Sequence, residues 1–280
     1  MSERSRGVLH RNALTGMAFF FATLLLFIGA AAAQQEQTDP PGTIRKLPLT
    51  ADEIISRLQE RNHEREEALR ELTGTRVYRV QYHGFFGTKE AEALVRYKYV
   101  SPNTREFTVV SQSGSKLVID RVITGLLNGE KEAATKDNRQ RTVLSPANYN
   151  FTLADSDADG DESQYVLSVV PKNDNKFLYR GKIWIDVNDF AVTRIEAEPA
   201  KSPSFWVKRS EVRHRYKKVA DFWVPAENTT DSAIRMGGHA LLSIEYKDYE
   251  IVGAVRPNPA EHPGENSSAP VTGQENTAVH

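Results

Sequence analysis

Tyr78-Arg79-Val80-Gln81-Tyr82-His83 alternates large apolar with polar side chains, and Ala91-Glu92-Ala93-Leu94-Val95-Arg96-Tyr97-Lys98-Tyr99 takes up the same alternation shortly afterwards. Successive side chains of an extended strand point to opposite faces, so each stretch reads as a strand with one dry and one wet face. Phe85-Phe86-Gly87-Thr88 between them has the composition of a hairpin connection. Ser101-Pro102-Asn103-Thr104 is a second turn, leading into a strand over 105–110 that carries Phe107. The result is an antiparallel meander. Further strands are expected over 164–170, 178–187, 191–198, 205–219, 222–234 and 239–251, with turns at Val187-Asn188-Asp189 and Met236-Gly237-Gly238.

Two helices are expected around this meander. Thr50 followed by Glu53 forms a capping box, from which a helix runs from Ala51 to about Leu72. Its apolar positions Ile54, Ile55, Leu58, Ala68, Leu69 and Leu72 make one narrow stripe, broken by Arg61, Asn62 and Arg65. Inside the strand-rich region, Ile119, Val122, Ile123, Leu126 and Leu127 fall at helical spacing and are followed by Glu130, Lys131 and Glu132. An amphipathic helix there would cover the sheet, with Glu130 on its wet side. The fold class is therefore mainly β (α+β).

The flanks carry different information. Arg4, Arg6, His10 and Arg11 precede an apolar run from Ala13 to Ile28, and Ala31-Ala32-Ala33 precedes Gln34. That order describes a secretory signal peptide over residues 1–33, cleaved before Gln34; the alternative is an uncleaved anchor in the inner membrane. Either way the domain lies outside the cytoplasm. Residues 34–49, with Pro40-Pro41-Gly42, read as a linker, 50–252 as one domain, and 253–280 as a disordered tail poor in large apolar residues.

Composition narrows the function. With 36 basic against 37 acidic residues the chain has no excess of positive charge, which argues against a nucleic-acid partner. The absence of cysteine excludes disulfides, thiolate metal sites, cysteine nucleophiles and a lipid-anchoring cysteine. No phosphate loop, His-Glu-x-x-His pair or Gly-x-Ser-x-Gly elbow occurs, and the seven histidines are scattered, so no catalytic residue, metal ligand or cofactor is assigned and the chain does not read as an enzyme. Asp155-Ser156-Asp157-Ala158-Asp159-Gly160 begins like a calcium loop, but Val166 stands where that loop needs its bidentate carboxylate. An acidic hairpin turn explains it better. The cation-rich stretch Lys208 to Lys218 faces Glu196, Glu198, Asp221 and Glu245 on neighbouring strands, which favours cross-strand charge pairing over a ligand patch. On spacing alone, the aromatic stripe Tyr78, Tyr82, Tyr97, Tyr99 and Phe107 is either core or the lining of a cavity.

A family resemblance bears on that choice. Tyr165-Val166-Leu167-Ser168-Val169-Val170-Pro171-Lys172, Gly181-Lys182-Ile183-Trp184-Ile185-Asp186 and Phe190-Ala191-Val192-Thr193-Arg194-Ile195-Glu196 resemble the outer-membrane lipoprotein-sorting proteins, the periplasmic carriers of the Lol pathway and their relatives. The likeness continues through Phe222-Trp223-Val224-Pro225 and Leu242-Ser243-Ile244-Glu245-Tyr246, and spans roughly residues 50–252. It implies a half-open antiparallel β-barrel whose concave apolar face, closed by helices, receives the acyl chains of a lipoprotein or another lipid. On this chain the lining would be Tyr78, Val80, Tyr82, Val95, Tyr97, Tyr99 and Phe107, under a lid bearing Ile119, Ile123, Leu126 and Leu127. It also implies a lid-locking arginine, for which Arg76, Arg79 and Arg96 are all available, and membrane donor and acceptor complexes as partners. The alternative is an envelope interaction or sensor module on the same fold, without lipid transfer.

Overall fold

The computed structural model describes residues 49–252 except 86, 103, 155–162, 203–204, 206 and 236. The expected signal peptide, nearly all of the linker, the tail and the Asp155–Gly160 segment lie outside the described residues.

Ten strands form one antiparallel sheet: β1 (Glu71–Gly84), β2 (Gly87–Val100), β3 (Thr104–Gly114), β4 (Tyr149–Leu153), β5 (Gln164–Pro171), β6 (Tyr179–Asp186), β7 (Val192–Pro199), β8 (Val207–Val219), β9 (Phe222–Ile234) and β10 (Gly238–Val252). Their spatial order is β3-β2-β1-β10-β9-β8-β7-β6-β5-β4, so β3 and β4 are the two edges and the sheet does not close into a barrel. Every hairpin strand expected from the alternation is present, although β1 begins at Glu71, seven residues before the alternating stretch. β4 is an addition. Its five residues are too few to show a period against the surrounding polar sequence.

Because β3 and β4 are opposite edges, the chain between them must cross the whole open side of the sheet. That crossing holds the helical segments α2 (Lys116–Val118), a π-helical turn (Ile119–Ile123), α3 (Thr124–Ala133) and α4 (Lys136–Thr142). The wide π-turn keeps Ile119, Val122 and Ile123 buried together on the sheet side. Gly114 sets the departure from β3: its φ is +90°, and a Cβ there would come within 2.3 Å of the Glu90 carbonyl oxygen.

Helix α1 (Ala51–Ala68) has the capping box expected of Thr50 and Glu53, with Thr50 N–H donating to Glu53 Oε2 at 2.7 Å and Glu53 N–H to Thr50 Oγ1 at 3.3 Å. It is shorter than its sequence suggests. Leu72 belongs to β1, opposite Tyr99 and Ile251, since pairing with two strands outweighs the continued helical spacing. The core is divided along the sheet. Ile54, Ile55 and Leu58 of α1 pack with Leu167, Ile183 and Ile195 over β5–β7, whereas the crossing helices pack over β1, β2 and β10.

Candidate functional site

The inner row of β1 reads Arg76, Tyr78, Val80 and Tyr82, beside Tyr246, Ile244, Leu242 and Ala240 of β10 and Val95, Ala93, Ala91 and Lys89 of β2 in register. Against this face lie Val118, Ile119, Val122, Ile123, Leu126 and Leu127 of the crossing helices, all buried. Of the residues expected to line the ligand face, Tyr78, Val80, Val95, Ile119, Ile123, Leu126 and Leu127 form one cluster, with Tyr82 and Phe107 packed on it. Tyr97 and Tyr99 are drawn into a neighbouring cluster with Leu72, Phe222 and Val224. Tyr99 points to the turn end of the sheet, where its hydroxyl donates to the Pro102 carbonyl at 3.0 Å. The helix thus sits down on the sheet, and its own side chains fill the concave face.

Glu130 is not on the wet side. Its carboxylate is buried against the sheet and receives both its close contacts from Arg76 Nη1, at 2.7 and 2.8 Å. The physical reason is periodic: Glu130 continues the stripe of Ile123, Leu126 and Leu127, so it turns inward with them, and Arg76 is in phase with Tyr78 on β1. The exposed positions of the helix are Thr124, Asn128, Lys131 and Glu132. The arginine fastening the helix is therefore Arg76. Arg79 is on the outer face, paired with Glu92 at 2.9 Å and Glu245 at 3.3 Å.

The pair is built into an aromatic box. Tyr78 OH donates to Glu130 Oε1 at 3.4 Å and accepts from Arg76 Nη1 at 3.3 Å, while the guanidinium lies 4.0 Å from the Tyr97 ring centroid and 5.2 Å from those of Phe107 and Tyr246. Burial alone would drive the guanidinium towards neutrality, but the Glu130 carboxylate together with Tyr78, Tyr246 and Tyr97 outweighs it and holds Arg76 above its ordinary range. Burial raises Tyr78, and the adjacent carboxylate raises it further. Removing two ions from water costs several kcal/mol each, and only close geometry with aromatic support offsets that cost. This link holds the crossing segment to the inner face of β1. Glu132 to Lys176 at 2.8 Å and Glu66 to Arg139 at 2.8 Å fasten its flank and its far end.

The middle of the sheet differs in chemistry. β9 turns Asn228, Thr230 and Ser232 inward, opposite His214, Val212 and Ser210 of β8. Ser210 and Ser232 satisfy each other at 2.7 Å. Asn228 Nδ2 lies 2.8 Å from Nδ1 and 2.6 Å from Nε2 of His214, to one of which it donates. Burial lowers His214 to about 4, so the ring is a neutral acceptor at neutral pH. A separate hollow of about 610 Å³ lies among Arg141, Asn148, Asp174, Lys176 and Lys201, and its charged lining suits no acyl chain. On the outer face of β8, Arg209 pairs with Glu198 at 2.9 Å and Lys218 with Asp189 at 2.6 Å, which is the cross-strand pairing expected for Glu198, while Glu245 pairs instead with Arg79 and Lys247. The sequence did not single out Arg76 with Glu130, or the β9 polar row.

An open antiparallel sheet with its concave face under a crossing helix is the architecture implied by the resemblance to the outer-membrane lipoprotein-sorting proteins. The model of a family of unknown function, DUF5686, matches residues 139–247. No curated protein matches the chain. Among solved structures it is similar to an outer-membrane lipoprotein-sorting protein domain from Vibrio parahaemolyticus, at 12% identity and a TM-score of 0.36, covering 72% of this chain and 93% of that one. A LolA superfamily protein from Nitrosomonas europaea matches at 12% identity and a TM-score of 0.34, covering 76% and 96%. The MucA/MucB complex of Pseudomonas aeruginosa gives 10% identity and a TM-score of 0.20, covering 72% and 98%. These scores bear no functional argument, and the fold rests on the strand order itself. No helix among the described residues is long and apolar enough to cross a membrane.

Proposed function

We propose that this chain is a periplasmic carrier that takes acyl chains of a lipoprotein or another lipid between the inner face of β1, β2 and β10 and the crossing helix. One observation carries the reading: the connection between the two sheet edges is laid across the concave face and fastened there by the buried Arg76–Glu130 pair. A helix held only to complete a core has no need of a buried ion pair, since apolar residues of similar volume stabilise as well or better. A polar fastening suits a lid. It releases as one unit when water or a competing partner reaches the charges, and lifting α3 then bares Tyr78, Val80 and Val95 to an acyl chain. Each buried methylene contributes about 0.8 kcal/mol, so a long chain repays the exposure of the lid's own apolar face.

Native mass spectrometry of the protein purified from its own envelope tests this. Retained acylated species are the expected result, and a lipid-free mass under gentle ionisation sinks the carrier reading. A second reading has its own support: β3 is an edge strand without charge from Phe107 to Gly114, and Val109 and Val110 are about half exposed. Such an edge is open to strand addition by a partner, as an interaction module would require.

A further inference from the structure

The inner face of the sheet is apolar on both sides of its centre and polar at the centre. In the spatial order, β9 and β8 stand between β10, which packs under the lid, and β7, which packs under α1. Along one register line the inward residues are Tyr78, Ile244, Asn228, His214, Ile195 and Ile183. The polar members sit in the middle. Asn228 is 0% exposed and Thr230 5%, yet Asn228 Oδ1 and Thr230 Oγ1 make no hydrogen bond within the protein. Asn228 Nδ2 faces the His214 ring and donates to it, and Oδ1 is left as an acceptor without a partner.

An unsatisfied amide oxygen and an unsatisfied hydroxyl two residues apart on one strand are costly, and Val or Leu would fill those positions at no such cost. Two such groups side by side on the inner row of one strand, between two apolar stretches of the sheet face, mark a place where something else supplies the hydrogen bonds. We infer that the cargo is an amphiphile carrying a hydrogen-bond donor next to its acyl chain, an amide N–H or a hydroxyl, and that Asn228 and Thr230 accept from it. The placement fits one molecule. Asn228 is the register neighbour of Ile244, and adjacent strands are about 4.8 Å apart, so a chain lying under the lid over Tyr78 and Ile244 brings its head end to β9. This inference rests on the carrier reading and sharpens it, since a plain hydrocarbon tail would gain nothing from the row.

A matched pair of fluorescent probes tests it: a secondary fatty amide and the ester of equal length, which differ by N–H against O. The wild-type protein is expected to bind the amide about tenfold more tightly than the ester once each affinity is corrected for the probe's own partition from water into hydrocarbon. Thr230→Val, which keeps the side-chain shape, is expected to reduce that preference severalfold while raising the melting temperature by about 2–4 °C, because an unsatisfied buried hydroxyl is gone. Asn228→Leu is expected to act in the same direction, and should it fail to fold, Thr230→Val carries the test alone. Equal corrected affinities in the wild type, or an undiminished preference in Thr230→Val, overturn the inference: the row is then simply hydrated. Failure of both probes to bind overturns the carrier reading and this inference with it.

Discussion

Arg76 Nη1 holds both carboxylate oxygens of Glu130, at 2.7 and 2.8 Å, joining strand β1 to the helix that crosses the sheet. The two side chains are 3% and 6% exposed, so each charge is shut away from water and compensated by the other. Arg76→Leu, which strands the carboxylate, is expected to cost about 3–5 kcal/mol in urea unfolding. Arg76→Met combined with Glu130→Leu should recover most of that loss. A single-variant cost below about 1 kcal/mol would show that water already reaches the pair.

The divided core separates stability from capture. Leu58→Ala, in the α1 half, is expected to cost about 2–5 kcal/mol while leaving the affinity for a fluorescent fatty-acyl probe unchanged. Leu126→Asp, in the lid half, should reduce that affinity more than it reduces the stability of the sheet, because a lifted lid delivers the carboxylate to water. Lys131→Glu, at an exposed position, should change neither by more than about 0.5 kcal/mol. Loss of all structure in Leu126→Asp would make the helix ordinary core.

His214 gives a pH signature. Its folded pKa of about 4 lies below the unfolded value of about 6.5, so between those values the unfolded chain binds a proton that the native protein does not. Its contribution to stability is complete above about pH 6.5 and is lost as pH falls towards 4, with a slope of at most about 1.4 kcal/mol per pH unit. His214→Gln should flatten that part of the stability profile relative to wild type. Parallel profiles in thermal melts across this window would show that the ring titrates while folded.

Export is tested by amino-terminal sequencing of the protein recovered from cells. A mature chain beginning at Gln34, or within a few residues of it, is the expected outcome. An intact amino terminus fractionating with the inner membrane would establish an anchored domain instead.

The strands and the crossing helix are legible in the sequence because both depend on period. Alternation in Tyr78 to Tyr82 and Ala91 to Tyr99, and the three-and-four spacing of Ile119 to Leu127, are visible without knowing what each segment packs against. Glu130 reads as surface by chemical type, as a carboxylate after Leu126 and Leu127, although its spacing carries it inward. Arg76 held the complementary clue, sharing parity with Tyr78, Val80 and Tyr82. Asn228, Thr230 and Ser232 also alternate, but their burial comes from β8 and β10 on either side, and no local pattern reports that. The α1 boundary failed for a related reason, since Leu72 satisfies a helical stripe and a strand face equally well until β2 and β10 are in place.

The most direct measurement is photochemical mapping with a fatty acid carrying a diazirine near its methyl end, followed by mass spectrometry of the adducts. Insertion into peptides containing Tyr78, Val95, Ile123 and Leu126, lost on competition with unlabelled fatty acid, is the expected result. Adducts confined to the exposed edge at Val109 and Val110, or no competable adduct at all, would contradict a ligand held between sheet and lid.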